Sequence, residues 1–446
     1  MTIIQALLVA GLLAACAAPR QMRSTSTPAP APVVINDDGG WCWFQDERAL
    51  GLGTSVIVGS VASGRCDSRR AGNVEAVLWK PASGETRRLV LAEGLGQDDH
   101  NAPAFIELDD GGVLAVYARH GQDHKVRRRR SGSPVSEGSW GPEQVFSVDR
   151  EQARFGVTYS NLYRLADEGR LLNMFRGVGW DPNVLQSGDD GRTWTWVGRL
   201  LGGPGRPYLR YAGNGRDRLH FVATEQHPRD FDNGLYHGFL SGAEVCDSTG
   251  QVRGRVGPDT PLSPADLTCV FRGGPAAVAW PADLELDAGG HPVSLFTVQV
   301  DGAGKPRGQG GRDHRFFYGR FDGSRWHTEE IAFAGTRLYS GEDDYTGLGA
   351  IDPQDPTSLV ISTDAHPKTG EPLMSTADGQ RHRELFRGRP TPDGGGWNWT
   401  PITENSREDQ LRPIIPPGQP RVLLWLRGHL RTYTDYDLEV VGLPLP

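Results

Sequence analysis

Eight consecutive residues constrain this chain more than any other stretch: Ser187-Gly188-Asp189-Asp190-Gly191-Arg192-Thr193-Trp194 satisfy every fixed position of the pattern S-x-D-x-G-x-T-W. This pattern, the Asp box, is a hairpin turn between two outer strands of a β-propeller blade. The Ser and Asp side chains hydrogen-bond the turn backbone, Gly takes a positive φ, and Trp tucks back between the strands. Such turns lie on the rim of the fold, so the octet speaks for architecture and not for chemistry.

The rest of the chain agrees with an all-β propeller. Short β-like runs recur between Asp, Gly and Asn turn signals: Ala76–Trp79, Val113–Tyr117, Leu171–Phe175, Leu219–Ala223, Val293–Thr297, Ser358–Ser362 and Val422–Leu426. Their spacing predicts seven blades of roughly fifty to sixty residues each. Weaker turn-plus-Trp echoes occur at Asp322–Trp326 and Asp393–Trp397, and no long amphipathic helix stands out. With 59 Gly and 32 Pro among 446 residues, and 23% charged residues, the composition is that of a turn-rich soluble body.

The ends and the cysteines address localisation. The first fifteen residues form an apolar run too short for an ordinary membrane span and lead into Leu13-Ala14-Ala15-Cys16, which resembles a bacterial lipobox. The expected organisation is a lipoprotein-type signal over 1–16 with Cys16 lipidated, a Pro/Ala/Ser-rich tether over 17–35, and a single propeller over 36–446. The protein is then exported, either as a cell-envelope lipoprotein of the outer membrane or as a secreted protein, and touches a membrane only through its lipid. Cys42, Cys66, Cys246 and Cys269 remain, an even number compatible with two disulfides. Cys42 with Cys66 and Cys246 with Cys269 is the simplest of three pairings, and the spacing matches no zinc pattern.

A net charge of −8 argues against nucleic-acid binding, and the one dense basic block, Arg127–Arg130, reads as a strand end entering a loop. Propeller active sites sit at the central channel, on loops that flank inner strands. Polar residues cluster there in the sequence: Asp98-Asp99-His100-Asn101, Arg119-His120, Tyr159-Ser160-Asn161, Arg176, then Tyr208, Arg210, Tyr211, His227 and His237. The acidic loop Glu342-Asp343-Asp344 reads as a structural or cation-contacting turn. His, Tyr and Arg together suit β-elimination on a uronate. The C5 proton, α to a carboxylate, is weakly acidic, and Arg or cationic His stabilises the anion that forms when it leaves. Neutral His or ionised Tyr removes that proton, and a Tyr hydroxyl protonates the departing O4. No cofactor is required for this chemistry.

Several longer motifs sharpen the expectation. Trp41-Cys42-Trp43-Phe44-Gln45-Asp46, DDHNAP from Asp98, RPYLRYA from Arg206, EQHPRD with NGLYHG, SGEDDYTGLGAIDP and TPITENS…LRP together resemble the BNR-repeat family that contains the seven-bladed ulvan lyases. The resemblance spans about residues 38–446. It implies that His100 and His120 line the active-site channel, that Tyr159 acts as base, acid or both, and that Arg176 neutralises the uronate carboxylate. It further implies that His237 faces substrate, with Tyr208, Arg210, Tyr211 and His227 contacting sugar or supporting those that do. Tyr163, four residues from Tyr159, is the competing tyrosine. Some family members bear metal ions, and a structural metal is left open without assigned ligands. The expected partner is an anionic uronate polysaccharide, acted on by a monomer. The alternatives are a sialidase-like propeller hydrolase, although the Arg-Ile-Pro motif expected near the start is absent, and a non-catalytic glycan-binding lipoprotein.

Overall fold

Short strands pairing with their immediate successors build a ring of antiparallel sheets in this computed structural model, which describes residues 31–446 apart from 151–152, 260 and 307. Seven sheets form, six of four strands and one enlarged to six. Their innermost strands are Ala49–Gly51, Ala104–Glu107, Thr158–Leu165, Leu209–Gly213, Val278–Leu286, Gly349–Asp352 and Asp409–Ile414, which we number blades 1 to 7. Among the described residues the helices are short 3₁₀ turns, none of them long or apolar enough to cross a membrane. The predicted seven-bladed propeller is the observed fold.

Blade 7 is built from both ends of the chain. Val33–Asn36 pairs antiparallel with the last strand, Asp435–Pro444, with Val33 opposite Gly442. This closes the ring and covers the edge of the terminal sheet, an exposed template otherwise. The strand takes in three residues assigned to the tether from sequence, because Val33, Val34 and Ile35 have the apolar, β-branched character that a final ladder needs. The signal segment, Cys16 and most of the tether lie outside the described residues.

The predicted runs fall one per blade. Six are second strands, but Ala76–Trp79 belongs to the third strand of blade 1, whose second strand is Val56–Val61. Both are apolar because both are covered by neighbouring blades, so hydrophobic pattern alone does not separate them. The Asp box joins the third and fourth strands of blade 3. Asp189 Oδ1 accepts the Thr193 N–H at 2.8 Å, Ser187 Oγ accepts the Gly191 N–H at 2.8 Å, and Gly191 sits at φ 79°. Trp194 Nε1 donates back to the Gly191 carbonyl at 3.2 Å. The weaker copies at Asp322 and Asp393 occupy the same hairpin in blades 5 and 6. The arginine block forms the third strand of blade 2, Lys125–Arg130. There Arg127 pairs with Asp123, Arg129 caps the Gly141 carbonyl, and Arg128 reaches the Arg192 carbonyl of blade 3.

All four described cysteines are free thiols, which corrects the expected disulfides. Cys42 is buried at the channel whereas Cys66 lies on an exposed loop. Cys246 and Cys269 sit on two strands that pair with different stretches of Leu235–Ser241, opposite Phe239 and Tyr236. Three residues along a strand separate them by about 10 Å, beyond the Cα separation a disulfide spans.

Candidate active site

The residues Trp41–Asp46, between the outer strand of blade 7 and the inner strand of blade 1, are buried and cross the central channel. Arginines from the inner strands hold this segment by its carbonyls. Arg210 of blade 4 donates to Trp43 O at 2.6 Å and to Gln45 O, and Arg412 of blade 7 donates to Cys42 O and Gln45 O. Trp43 Nε1 reaches Thr346 O at 2.6 Å. The segment thus provides a floor from which Phe44 stacks on Trp280 at 4.0 Å and meets Tyr208 edge-on at 4.8 Å. Arg210 spends both terminal nitrogens on these carbonyls and lies 3.5 Å from the Asp46 carboxylate. Arg210, 2% exposed, is therefore a buttress, the supporting one of the two roles read from sequence.

Above that floor, side chains converge from loops on one face. His100 comes from the 3₁₀ turn Asp99–Asn101 leading into blade 2, capped by the Asp98 side chain. His120 follows the second strand of the same blade, Val113–Ala118. Their rings stack with centroids 3.8 Å apart and share one carboxylate: His100 Nδ1 lies 2.7 Å from Asp98 Oδ1, and His120 Nδ1 lies 2.8 Å from Asp98 Oδ2. Asp99 Oδ1 adds a second contact to His100 Nδ1 at 2.8 Å. With Nδ1 of each ring turned to carboxylate, Nε2 is the atom left for substrate.

The two histidines carry different protonation states. Burial penalises a charge on His100, but Cys42, Asp98, Tyr159 and Asp99 outweigh it and raise its pKa well above 6.5. Burial, with the neighbouring His100 charge, lowers His120 to about 4 against the pull of Asp98. At neutral pH the pair is an imidazolium stacked on a neutral imidazole with a free Nε2.

Tyr159 is the second residue of the inner strand of blade 3, at φ 62°, and the ladder shifts register between Thr158 and Asn161. A bulky side chain in the left-handed region is strained, and the bulge re-aims it. Its ring centroid lies 5.5 Å from that of His100, and the Arg176 guanidinium sits over it at 5.1 Å. Burial first, then Tyr208 and Cys42, push its phenol well above 10, so it keeps its proton. Tyr163 instead bonds Asp46 below the cleft.

Arg176, at the end of the second strand of blade 3, is 4% exposed. Tyr159, Tyr208 at 4.3 Å and Trp180 at 5.6 Å surround its guanidinium, and Nη2 donates to Pro207 O at 2.9 Å. Among the described residues no carboxylate forms an ion pair with it, and its Nε lacks a partner. A desolvated cation without a counter-ion is costly, so this pocket is built for an anion that arrives with the ligand.

Tyr208 and His227 join the same cleft: their rings meet edge-on at 5.3 Å, and His227 packs 4.8 Å from Trp280. Tyr211 lies one layer lower, against Tyr163 and Phe221. His237 does not join the cleft. It is fully buried in the third strand of blade 4, bound to His220 at 3.2 Å and Ser248 at 2.7 Å and packed on Trp326 of blade 5. Its position two residues into the strand, with the ring turned outward, overrides the Tyr-His motif match. The acidic loop is structural: Glu342 pairs with Arg229 at 2.5 Å, and Asp343 accepts the Gly308 N–H at 2.7 Å.

Sequence reasoning missed Phe44, Trp180, Trp280, Tyr345 and Tyr433 as cleft residues. Tyr433, in the hairpin Thr432–Asp435 of blade 7, meets His100 edge-on at 5.1 Å and His120 at 5.6 Å. Two of these aromatics, Phe44 and Tyr345, lie within quoted motifs, but an aromatic in a β protein signals core before site. As for metals, Cys42, Asp99 and His100, or Asp98, His100 and His120, lie close enough to share an ion. The second set already satisfies itself by hydrogen bonds.

Comparison with known proteins agrees with the architecture. The profile described as a BNR repeat-containing family member matches residues 68–334. No curated protein matches the sequence. Among solved structures, a PL25 ulvan lyase bound to -[GlcA(1-4)Rha3S]- superposes with a TM-score of 0.65 at 13% identity, covering 92% of this chain and 95% of that one. The polysaccharide lyase Uly1 superposes with a TM-score of 0.57 at 12% identity, covering 93% and 98%. At these identities the likeness is one of fold. With the profile covering more than half of its length, the chain belongs to the BNR repeat-containing family.

Proposed function

We propose that this protein is a polysaccharide lyase that cleaves a uronate-containing anionic polysaccharide, ulvan-like in character, by β-elimination. The observation that carries the reading is Arg176, a buried guanidinium caged by aromatic rings and left without a carboxylate among the described residues. A uronate carboxylate supplies the missing charge, and its placement there puts C5 among His100, His120 and Tyr159.

The protonation states assign the roles. His120, neutral with Nδ1 on Asp98, takes the C5 proton at Nε2. Arg176 and the cationic His100 stabilise the charge that builds on the carboxylate as that proton leaves. The electron pair forms the C4–C5 double bond, the C4–O4 bond breaks, and the Tyr159 hydroxyl protonates O4. The products are a 4,5-unsaturated uronate and a chain ending in a free hydroxyl; His120 then releases the proton it took and Tyr159 regains the one it gave, both through solvent. Hydrolysis fits less well, since the carboxylates nearest the cleft, Asp98 and Asp99, are held by histidines. Of the residues present, Cys42, Asp99 and His100 would suit a thiophilic ion, and no step above uses one.

Reducing the polymer's carboxyl groups to alcohols tests the reading. Turnover should vanish on the reduced polymer and on the native polymer with Arg176→Ala, while both proteins keep the same thermal transition. Undiminished turnover in either case would remove Arg176 from the mechanism. Export and lipidation at Cys16 belong to the same proposal, with the cell surface placing the enzyme beside its polymer.

A further inference from the structure

A groove of about 840 Å³ opens beside the Arg176 cage, between the loops of blades 3 and 4. We infer that this groove is a second sugar-binding subsite, in which Trp180 stacks on a sugar beyond the disaccharide held in the cleft and Arg206 binds that sugar's anionic substituent, carboxylate or sulfate. The inference rests on the lyase reading of the neighbouring cleft and names what that cleft holds beyond the bond it breaks.

Two features support it. Trp180 adopts φ 63°, directly after Gly179 at φ 71°, within a turn whose Trp180 N–H donates to Gly177 O at 2.9 Å. A large residue in the left-handed region is strained, and strain of this kind concentrates where a side chain must be presented to a ligand. The indole is only half-buried: it packs near Arg176 and meets Phe155, itself 54% exposed, at 5.4 Å. An aromatic bank open to solvent at the mouth of a polar groove matches the apolar face of a pyranose ring.

The second feature is charge. Arg199 is occupied by Asp181 at 3.2 Å, and Arg229 by Glu342 and Asp230. Arg206 is half-buried in the same groove and forms no ion pair among the described residues. It directly precedes Pro207 and Tyr208, the residues that hold and cover Arg176. Two unpaired guanidinium groups therefore stand on connected wall segments, which suits consecutive anionic groups on one chain.

The test uses calorimetric binding of ulvan di- and hexasaccharides, native and desulfated, to the protein carrying Tyr159→Phe, which does not consume them. The hexasaccharide should bind about tenfold tighter than the disaccharide, a difference a single good stacking contact supplies. Adding Trp180→Ala should erase that advantage. Trp180→Gly should erase it too while keeping or raising Tm, because glycine accepts the backbone angle without strain. Adding Arg206→Ala should weaken the native hexasaccharide. If desulfation alone produces the same loss, the bound group is sulfate; if not, it is carboxylate. Wild-type length dependence in the Trp180 variants, or no binding of either oligosaccharide, overturns the subsite. Should the unmutated protein release no unsaturated uronate while the Trp180 variants still lose hexasaccharide affinity, the subsite stands and the lyase reading falls.

Discussion

Replacing Asp98 by Asn probes the catalytic arrangement at its hinge. The Asp98 carboxylate takes His100 Nδ1 on one oxygen at 2.7 Å and His120 Nδ1 on the other at 2.8 Å, and also accepts the His100 backbone N–H at 3.0 Å. An amide of the same shape offers one acceptor and one donor. Its oxygen keeps one Nδ1–H bond, while its NH₂ drives the other ring to the tautomer that carries the proton on Nε2. If His120 is that ring, the base is blocked. If it is His100, the cation beside the substrate carboxylate is lost. A hydrogen bond to a charged group contributes about 1.5–3 kcal/mol, which as transition-state stabilisation converts to a roughly ten- to hundredfold fall in rate. The assay is the initial rate of unsaturated-uronate formation as a function of pH. For the unmutated protein, kcat/KM should rise through the His120 pKa of about 4 and hold until His100 loses its proton. In Asp98→Asn the plateau should drop and the alkaline limb should move to lower pH, since the charge that raised His100 is gone. A folded Asp98→Asn protein with the original kcat/KM and the original profile would refute the assignment of both histidines.

Other expectations follow from the same geometry. Tyr159→Phe should abolish turnover with little change in Tm, whereas Tyr163→Phe, which loses its bond to the Asp46 carboxylate, should cost about 1.5–3 kcal/mol of stability and leave kcat nearly intact; unfolding curves and rates on both variants check this. His220 and His237 bear on acid stability. Burial lowers His220 to about 4 and His237 well below its usual value, so the stability they give is complete above pH 6.5 and is lost as pH falls toward 4. His220 alone contributes about 1.36 kcal/mol per pH unit across that window, so the gap between urea midpoints at pH 7 and pH 5 should narrow in His220→Gln, with His237 supplying what remains. Asp189→Ala should lower stability by about 1–2 kcal/mol, because the Asp-box turn loses its Thr193 and Ser187 bonds, with specific activity of the folded fraction unchanged.

How much of this was legible in the sequence differs by level. The fold was, since an Asp box and one apolar run per blade report short-range physics: turn chemistry and strand pattern. The cleft was partly so. His100, His120, Tyr159, Arg176, Tyr208 and His227 meet because each flanks an inner or second strand on one face. His237 carries a similar local signature but points between blades, an orientation set by one register position that no motif encodes. Arg210 sits in a cleft motif and serves the channel floor, because the partner carbonyls lie more than 160 residues away in the chain. Cys42 looked like half of a disulfide, and only the ring closure that buries the Trp41–Asp46 segment shows it beside His100.

The most direct measurement is ultraviolet absorbance during incubation of the mature protein with ulvan and a panel of other uronate polysaccharides. The account predicts a rising unsaturated-uronate signal on at least one polymer, absent with Arg176→Ala. New reducing ends without that absorbance would mean hydrolysis and contradict the elimination chemistry assigned to His120 and Tyr159.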